Sequence, residues 1–284
     1  MNVDEAVAAV IPQVLADLAA LVAIPSVSAL PANAADVQRS ARWISDQLEA
    51  LGCPDVRIVA EGGQPAVIAR FPAPAGAPTV CLYAHHDVQP TGDPAKWTTR
   101  DPFQVREQNG RLFARGVGDD KGGVMVHLAA LRAFGGRPPV GVTLFIEGEE
   151  EIGSPSLADI IARHRAVVAA DVYVSADSGD WGGGQPAFTD TLRGLVDCVV
   201  EVSTLDHALH SGQFGGAIPD ALTTLCRLLA TLHDAEGNVA IEGLGAMPDP
   251  ALDYPEDRLR AETGLLNGVR LLGEGPIAGR LWTK

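Results

Sequence analysis

The chain is short of positive charge: lysine and arginine total 21 against 36 aspartates and glutamates, a formal net charge of −15 at pH 7. That balance argues against nucleic acid or an anionic membrane surface as partner, because both are bound through cationic faces. Cysteine is scarce as well. Cys53, Cys81, Cys198 and Cys226 lie far apart and form no Cys-Xaa-Xaa-Cys pair. Cys81 and Cys198 sit in apolar, strand-like runs and read as reduced core thiols, which suits a cytoplasmic protein. Met1–Glu5 carries acids where a signal peptide carries positive charge, so no leader is expected. The apolar stretch that follows is broken by Gln13 and Asp17, and no membrane span is expected from it. Internal repeats, low-complexity tracts and the phosphate-loop pattern Gly-Xaa4-Gly-Lys-Ser/Thr are all missing.

What is present is a globular pattern. The 284 residues, 46% of them hydrophobic, allow one or two domains with a real core. Apolar spacing predicts helices over Asp4–Val22 and Ala35–Leu51, the second stopped by Gly52. Val56–Ala60 and Ala66–Phe71 read as strands joined by a Gly-Gly turn. A regular alternation follows: strand Thr79–Ala84, helix Lys121–Phe134, strand Val140–Ile146, helix Ser154–His164 with Ser154 as N-cap, and strand Asp171–Ser175. This order predicts an α/β fold, a parallel-type sheet with helices on both faces. From Arg193 onward the character changes. Strands over Leu195–Val202 and Val239–Ile241, with helices over Pro219–His233 and Glu256–Leu265, suggest a second, α+β domain. The expected division is therefore 1–192 and 193–284, the latter incomplete.

Chemistry-bearing residues gather at strand ends. Thr79–Ala84 runs into His85-His86-Asp87, and in an extended segment His85 and Asp87 point to one side, so that Asp87 could orient His85. A surface His–Asp pair or a helix cap fits the same residues. Gly116-Val-Gly-Asp-Asp-Lys-Gly-Gly sets two adjacent acids among glycines, which suits a loop pressed against a cation and also an acidic helix cap. Glu147-Gly-Glu-Glu-Glu crowds four carboxylates at the end of an apolar strand. A metal ligand beside a general base would offset their repulsion, and a solvated acidic loop is the alternative. Asp177 follows the last strand, where a lone aspartate is most often a turn residue. As a set, His85, Asp119, Glu150, Glu151 and Asp177 lie at carboxyl ends of successive strands, where open α/β sheets bind ligands. Nitrogen and oxygen donors without thiolate suit zinc, and also manganese or cobalt. His210-Ser-Gly places an imidazole in a later loop, able to polarise a carbonyl or simply to face solvent.

These residues resemble the co-catalytic zinc family of dipeptidases, carboxypeptidases and deacylases, its dipeptidase branch above all. The resemblance rests on Ile24-Pro-Ser-Val-Ser, His85-His-Asp-Val-Gln-Pro, Trp97 with Asp101-Pro-Phe, Arg115-Gly-Val-Gly-Asp-Asp-Lys-Gly, Glu149-Glu-Glu-Ile-Gly-Ser, Leu192-Arg-Gly, Leu209-His-Ser-Gly and Leu281-Trp. It implies hydrolysis of a peptide bond in dipeptides or short peptides by two divalent cations, zinc foremost. His85 and Asp177 would bind one cation, Asp119 would bridge both, and Glu151 would bind the second. Glu150 would be the general base for the bridging water, and Asp87 the partner of His85. The Asp119–Asp120 peptide bond would be cis. His210 would reach, in a homodimer formed through the lid domain, into the partner's site to stabilise the oxyanion. Aspartate at 177 implies a dipeptidase rather than an N-acyl-amino-acid deacylase or carboxypeptidase, which remain the alternatives.

The chain departs from the family at Ala84, His86 and Gly118, where glycine, tyrosine and a small hydroxyl residue are common. The family also has a returning segment that supplies the last histidine ligand and groups for the substrate carboxylate, and no histidine follows His233. The resemblance therefore implies a fragment, a truncated frame or half of a split enzyme, with its second metal site incomplete and its activity impaired. An inactive fragment or binding module is the reading from outside the enzyme class.

Overall fold

The computed structural model describes residues 2–182, 184–189, 192, 194–244 and 252–278. The chain divides into two compact units, 1–187 and 188–284.

In the first unit, α1 (Val3–Val22) starts where the Asn2 side chain accepts from the Asp4 amide at 3.1 Å. By length and composition it is apolar enough to cross a membrane. One stripe of it (Val14, Leu18, Leu21 and Val22) is buried, and the helix packs on α3, where Asp17 pairs with Arg132 at 2.6 Å. Next come α2 (Ala34–Ala50), β1 (Asp55–Val59), β2 (Ala66–Phe71) and β3 (Thr79–His85). The short β4 (Arg106–Gln108) and β5 (Arg111–Phe113) form a hairpin of their own. Asn109 and Gly110, at φ 53° and 72°, make its turn, as an Asn-Gly pair with positive φ does. Then follow α3 (Lys121–Ala133), β6 (Gly141–Glu147), α4 (Leu157–Val168) and β7 (Val172–Ser175).

The main sheet has the order β1-β2-β6-β3-β7. It is mixed. The β1–β2 and β2–β6 ladders are antiparallel, because a short turn returns β1 directly onto β2, whereas helical crossovers make β6–β3 and β3–β7 parallel. Every residue of β6 is buried. Val142, Leu144 and Ile146 face a core shared with α1, α2 and α3, while Phe145 faces the α4 side with Ile68 and Ile160. Helices thus cover both faces, and each fully buried aliphatic side chain contributes about 1.5–3 kcal/mol. The parallel register sets His85 opposite Glu147 and Tyr83 opposite Ser175, so three carboxyl ends finish side by side.

One helix begins later than its sequence indicates. Ser154 takes φ 53° and caps nothing, and α4 starts at Leu157 after a 3-10 turn over Glu150–Ile152. The reason is that Glu149 already accepts from the Ser156 amide and hydroxyl, which fixes the approach to the helix.

The second unit holds α5 (Ser211–Phe214), α6 (Ala221–Ala230) and α7 (Glu256–Thr263). Asp220 caps α6, accepting from the Thr223 amide at 2.7 Å. The expected strands are not formed among its described residues: 194–202 is irregular, and Val239 makes only an isolated bridge to His233. Leu195, Val196 and Val199 are more than four-fifths exposed, a β-prone run with no neighbouring strand to pair with. Cys198 is correspondingly exposed, not a core thiol. Cys53 and Cys81 are buried, and all four cysteines are free. Arg193, residues 245–251 and the Leu281-Trp282 pair lie outside the described residues.

Candidate metal centre

The centre is built on three strand ends and one loop. His85, the last residue of β3, is fully buried. Its Nε2 lies 3.0 Å from Asp119 Oδ1, and 3.9 Å from both Asp177 Oδ2 and Glu150 Oε2. On the other side of the ring, Nδ1 is 3.0 Å from the Asp87 carbonyl and 3.4 Å from Asp87 Oδ1. With Nδ1 held by Asp87, the ring turns Nε2 toward the acids, where loss of its proton would give a lone pair to a cation. His85, Asp119 and Asp177 offer one ligand atom each within 4.8 Å of one another, a group able to hold one metal ion.

Asp87 does more than orient the ring. Its buried carboxylate accepts from the amides of Glu150 (3.2 Å) and Glu151 (3.1 Å), and so ties the β6 end to the β3 end. Asp119 and Asp120 are joined by a cis peptide bond. Asp119 turns to His85, while Asp120 turns back, accepting from the His85 amide at 3.0 Å and capping α3 at Gly123.

The glutamate cluster splits in two. Glu147 and Glu149 turn inward to protein donors: Tyr83 Oη donates to Glu147 at 2.9 Å, and the amides of Gln64 and Ser156 donate to Glu149. Glu150 and Glu151 stay at the rim. Glu151 stands outside the His–Asp–Asp group, with both carboxylate oxygens held by Gln89 (amide at 3.2 Å, Nε2 at 2.7 Å). His210 belongs to the second unit, where its ring caps α5 by accepting from the Gly212 amide.

The electrostatics are those of a site with surplus negative charge. Burial would lower the proton affinity of His85, but the hydrogen bond to Asp87 and the charges of Asp87, Asp120 and Asp177 prevail and raise it to about 10. Glu150 is pushed up, by burial first and then by Asp177 and Glu151, with His85 opposing. Burial lifts Asp120 to about 7 and drops the enclosed His86 to about 4. Asp87 stays below the usual carboxylate range: burial acts to raise it, and His85 first, with Ser28 and His86, more than compensates. Among the described residues no lysine or arginine pairs with Asp119, Glu150 or Asp177; their common positive partner is the His85 ring, whose place a divalent cation could take.

Three supporting residues carry no sequence signal of their own: Gln89 on Glu151, Ser26 on the β3 extension and the buried Lys121. All three lie within motifs already singled out, His85-His-Asp-Val-Gln-Pro, Ile24-Pro-Ser-Val-Ser and Arg115-Gly-Val-Gly-Asp-Asp-Lys-Gly. Lys121 gives no warning, because lysine is by default a surface residue.

The description of Peptidase family M20/M25/M40 matches residues 81–260, a span that contains every residue of the centre. The chain belongs to this family. Among curated members it is 34% identical over 281 residues to the cysteinylglycine-S-conjugate dipeptidase of Corynebacterium striatum, covering 96% of this chain and 61% of that protein. It is 32% identical to the Cys-Gly metallodipeptidase DUG1 of Candida albicans, covering 87% and 55%. Among solved structures, the family's metallo-carboxypeptidase Sso-CP2 from Sulfolobus solfataricus superposes with a TM-score of 0.74 at 26% identity, over 95% of this chain and 62% of the other. Human carnosine dipeptidase 1 shares the fold, with a TM-score of 0.68 at 24% identity over 99% and 64%. The chain thus spans about three fifths of the length of these four proteins.

Proposed function

We propose that this chain is a metal-dependent hydrolase of dipeptides or short peptides, working at the centre around His85. The observation that carries the reading is the convergence of His85 Nε2, Asp119 Oδ1 and Asp177 Oδ2, with Glu150 beside them. The names of the curated relatives, which are dipeptidases, point to the same reaction class.

Nitrogen and carboxylate donors fit a divalent cation, zinc first, with manganese or cobalt as alternatives. His85, Asp119 and Asp177 would hold one. Asp119 would share a second with Glu151, whose carboxylate Gln89 keeps in a fixed orientation. When bound, the cation supplies Lewis acidity, polarising the scissile carbonyl and easing deprotonation of water. Asp87 keeps His85 in the tautomer that offers Nε2. It also holds the Glu150 backbone, so that the Glu150 carboxylate stands next to the ligands. Glu150 takes the proton of the attacking water at Oε2 and delivers it to the leaving nitrogen. Its upward shift, from burial and neighbouring acids, suits both halves of that transfer. His210 is assigned to the developing oxyanion, in a homodimer formed through the second unit. A cytoplasmic setting fits the free thiols.

The test is hydrolysis of Cys-Gly and β-Ala-His by the purified chain with zinc or manganese added, alongside N-acetyl amino acids. The wild type is expected to cleave the dipeptides at an impaired rate, because its second cation has only Asp119 and Glu151 as ligands. Glu150→Gln should lose roughly 10²–10⁴-fold in rate while still binding metal. Activity indifferent to that change refutes the role of Glu150, and preference for the N-acetyl substrates refutes the dipeptidase reading.

A further inference from the structure

Lys121 is completely buried, a rare place for an ammonium group. It opens α3 directly after Asp119 and Asp120. Its Nζ donates to the main-chain oxygens of Leu21 at 3.0 Å and Ile24 at 2.6 Å, carbonyls at and just beyond the end of α1 that each also accept one backbone amide, from Ile24 and Ser26. The same stretch grips the extension of β3. Ser26 Oγ donates to the His86 carbonyl at 2.6 Å, and the Val88 amide donates to the Ser26 carbonyl at 3.0 Å. One short segment, Leu21–Ser26, is therefore bonded to both halves of the ligand set: the His85–Asp87 strand end through Ser26, and the Asp119 loop through Lys121. The two halves also close on each other. The Lys121 amide donates to Gly116 O at 3.1 Å, and a Cβ at Gly116 would meet Val88 Cγ1 at 2.5 Å. The fit leaves no slack for a side chain there.

We propose that Lys121 is a positioning residue for the cation site: by clamping the Leu21 and Ile24 carbonyls it fixes Asp119 against His85, using the Ile24–Ser26 backbone as the common reference. This rests on reading His85, Asp119 and Asp177 as a cation site. The ammonium itself touches neither ligand nor substrate. Its replacement by an apolar chain of similar length leaves the Leu21 and Ile24 carbonyls with only the Ile24 and Ser26 amides as donors, so the loop carrying Asp119 loses its anchor to that segment.

The experiment is metal binding by the whole chain, read by titration calorimetry with zinc and with manganese alone, without substrate. Lys121→Met is compared with Leu131→Ala, a core truncation elsewhere on α3, with thermal stability measured for both. Lys121→Met is expected to bind metal roughly 10–100-fold more weakly, the usual effect of losing a group that orients a ligand. Leu131→Ala should lose stability and keep its affinity. If both variants lose affinity alike, or neither does, Lys121 is only a helix cap and the proposal falls. Should Lys121→Met not fold, Ser26→Ala reads the same coupling from the other end: weakened metal binding supports the proposal, and unchanged binding overturns it. A wild-type chain that binds no metal removes the site reading itself, an outcome distinct from either.

Discussion

Asp87 Oδ1 accepts the amide hydrogen of Glu150 at 3.2 Å while lying 3.4 Å from His85 Nδ1. One carboxylate oxygen thus orients the principal nitrogen donor and anchors the backbone of the candidate base, which come from different strands. Asp87→Asn should weaken zinc binding roughly 10–100-fold. The amide can offer one oxygen at most, so either the Glu151 amide, or the Glu150 amide together with the side-chain contact to His85, loses its acceptor, while the ring keeps the Asp87 carbonyl. Calorimetric titration of the variant checks this, and affinity within twofold of wild type would rule it out.

Metal should also act as a stabiliser. A cation that binds only the folded chain adds about 2.7 kcal/mol when present at 100 times its Kd. Zinc or manganese is therefore expected to raise the Tm of the wild type by several degrees, and a chelator to reverse the rise. His85→Ala and Asp119→Ala should show no such response, because each removes one of three donors. Differential scanning calorimetry with and without metal decides the point.

His86 gives a pH signature separate from its neighbour. Its ring is fully enclosed, with Nε2 2.9 Å from the Pro65 carbonyl, and burial lowers its pKa to about 4. In the unfolded chain the same ring titrates near 6.5, so between pH 6.5 and 4 the unfolded state binds the extra proton. The stability that neutral His86 contributes is complete above pH 6.5 and is lost as pH falls toward 4. The shift corresponds to an order of 3 kcal/mol at most. Because Asp120 shifts the opposite way over part of this range, the clean readout is the ring itself. NMR of the imidazole should show a midpoint near 4, and a midpoint at 6 or above excludes a neutral, enclosed ring.

The strand ends were legible in the sequence because each apolar run stops at an acid or a histidine, and parallel neighbours carry their carboxyl ends to the same edge. His85 and Asp177 follow from that logic; Asp119 does not, because it lies in the loop before α3 and not at a strand end, and its ligand role rests on the family resemblance. The glutamate run was only half legible. Its density marks a charged site, but nothing in the spelling shows that Glu147 and Glu149 turn to Tyr83, Gln64 and Ser156 while Glu150 and Glu151 stay at the rim. That division depends on donors remote in sequence. Leu195–Val202 shows the converse: β-branched residues state a preference, but a strand exists only when another strand lies alongside. The β4–β5 hairpin is signalled in the sequence only by Asn109-Gly110, because its flanks are polar and carry no alternating apolar pattern.

Gly63 tests how far the inward-facing glutamates matter to the site. It lies in the turn between β1 and β2, and a Cβ added there would collide with Glu149 Oε2 and with Ser156 Oγ, 2.6 Å away. The Glu149 carboxylate cannot retreat without giving up the Gln64 and Ser156 amides that it holds at 2.9 and 2.5 Å. Its own carbonyl accepts from the amides of Ile152 and Ser154, the turn that presents Glu150 and Glu151. Gly63→Ala should therefore cost about 1–3 kcal/mol of stability, the range for forcing a methyl into a filled space. Urea unfolding measures that loss. Because the displaced group is the residue before Glu150, the variant should also lower the rate of dipeptide hydrolysis more than it lowers metal affinity. An equal loss of stability with rate and affinity both untouched would confine Glu149 to holding the fold.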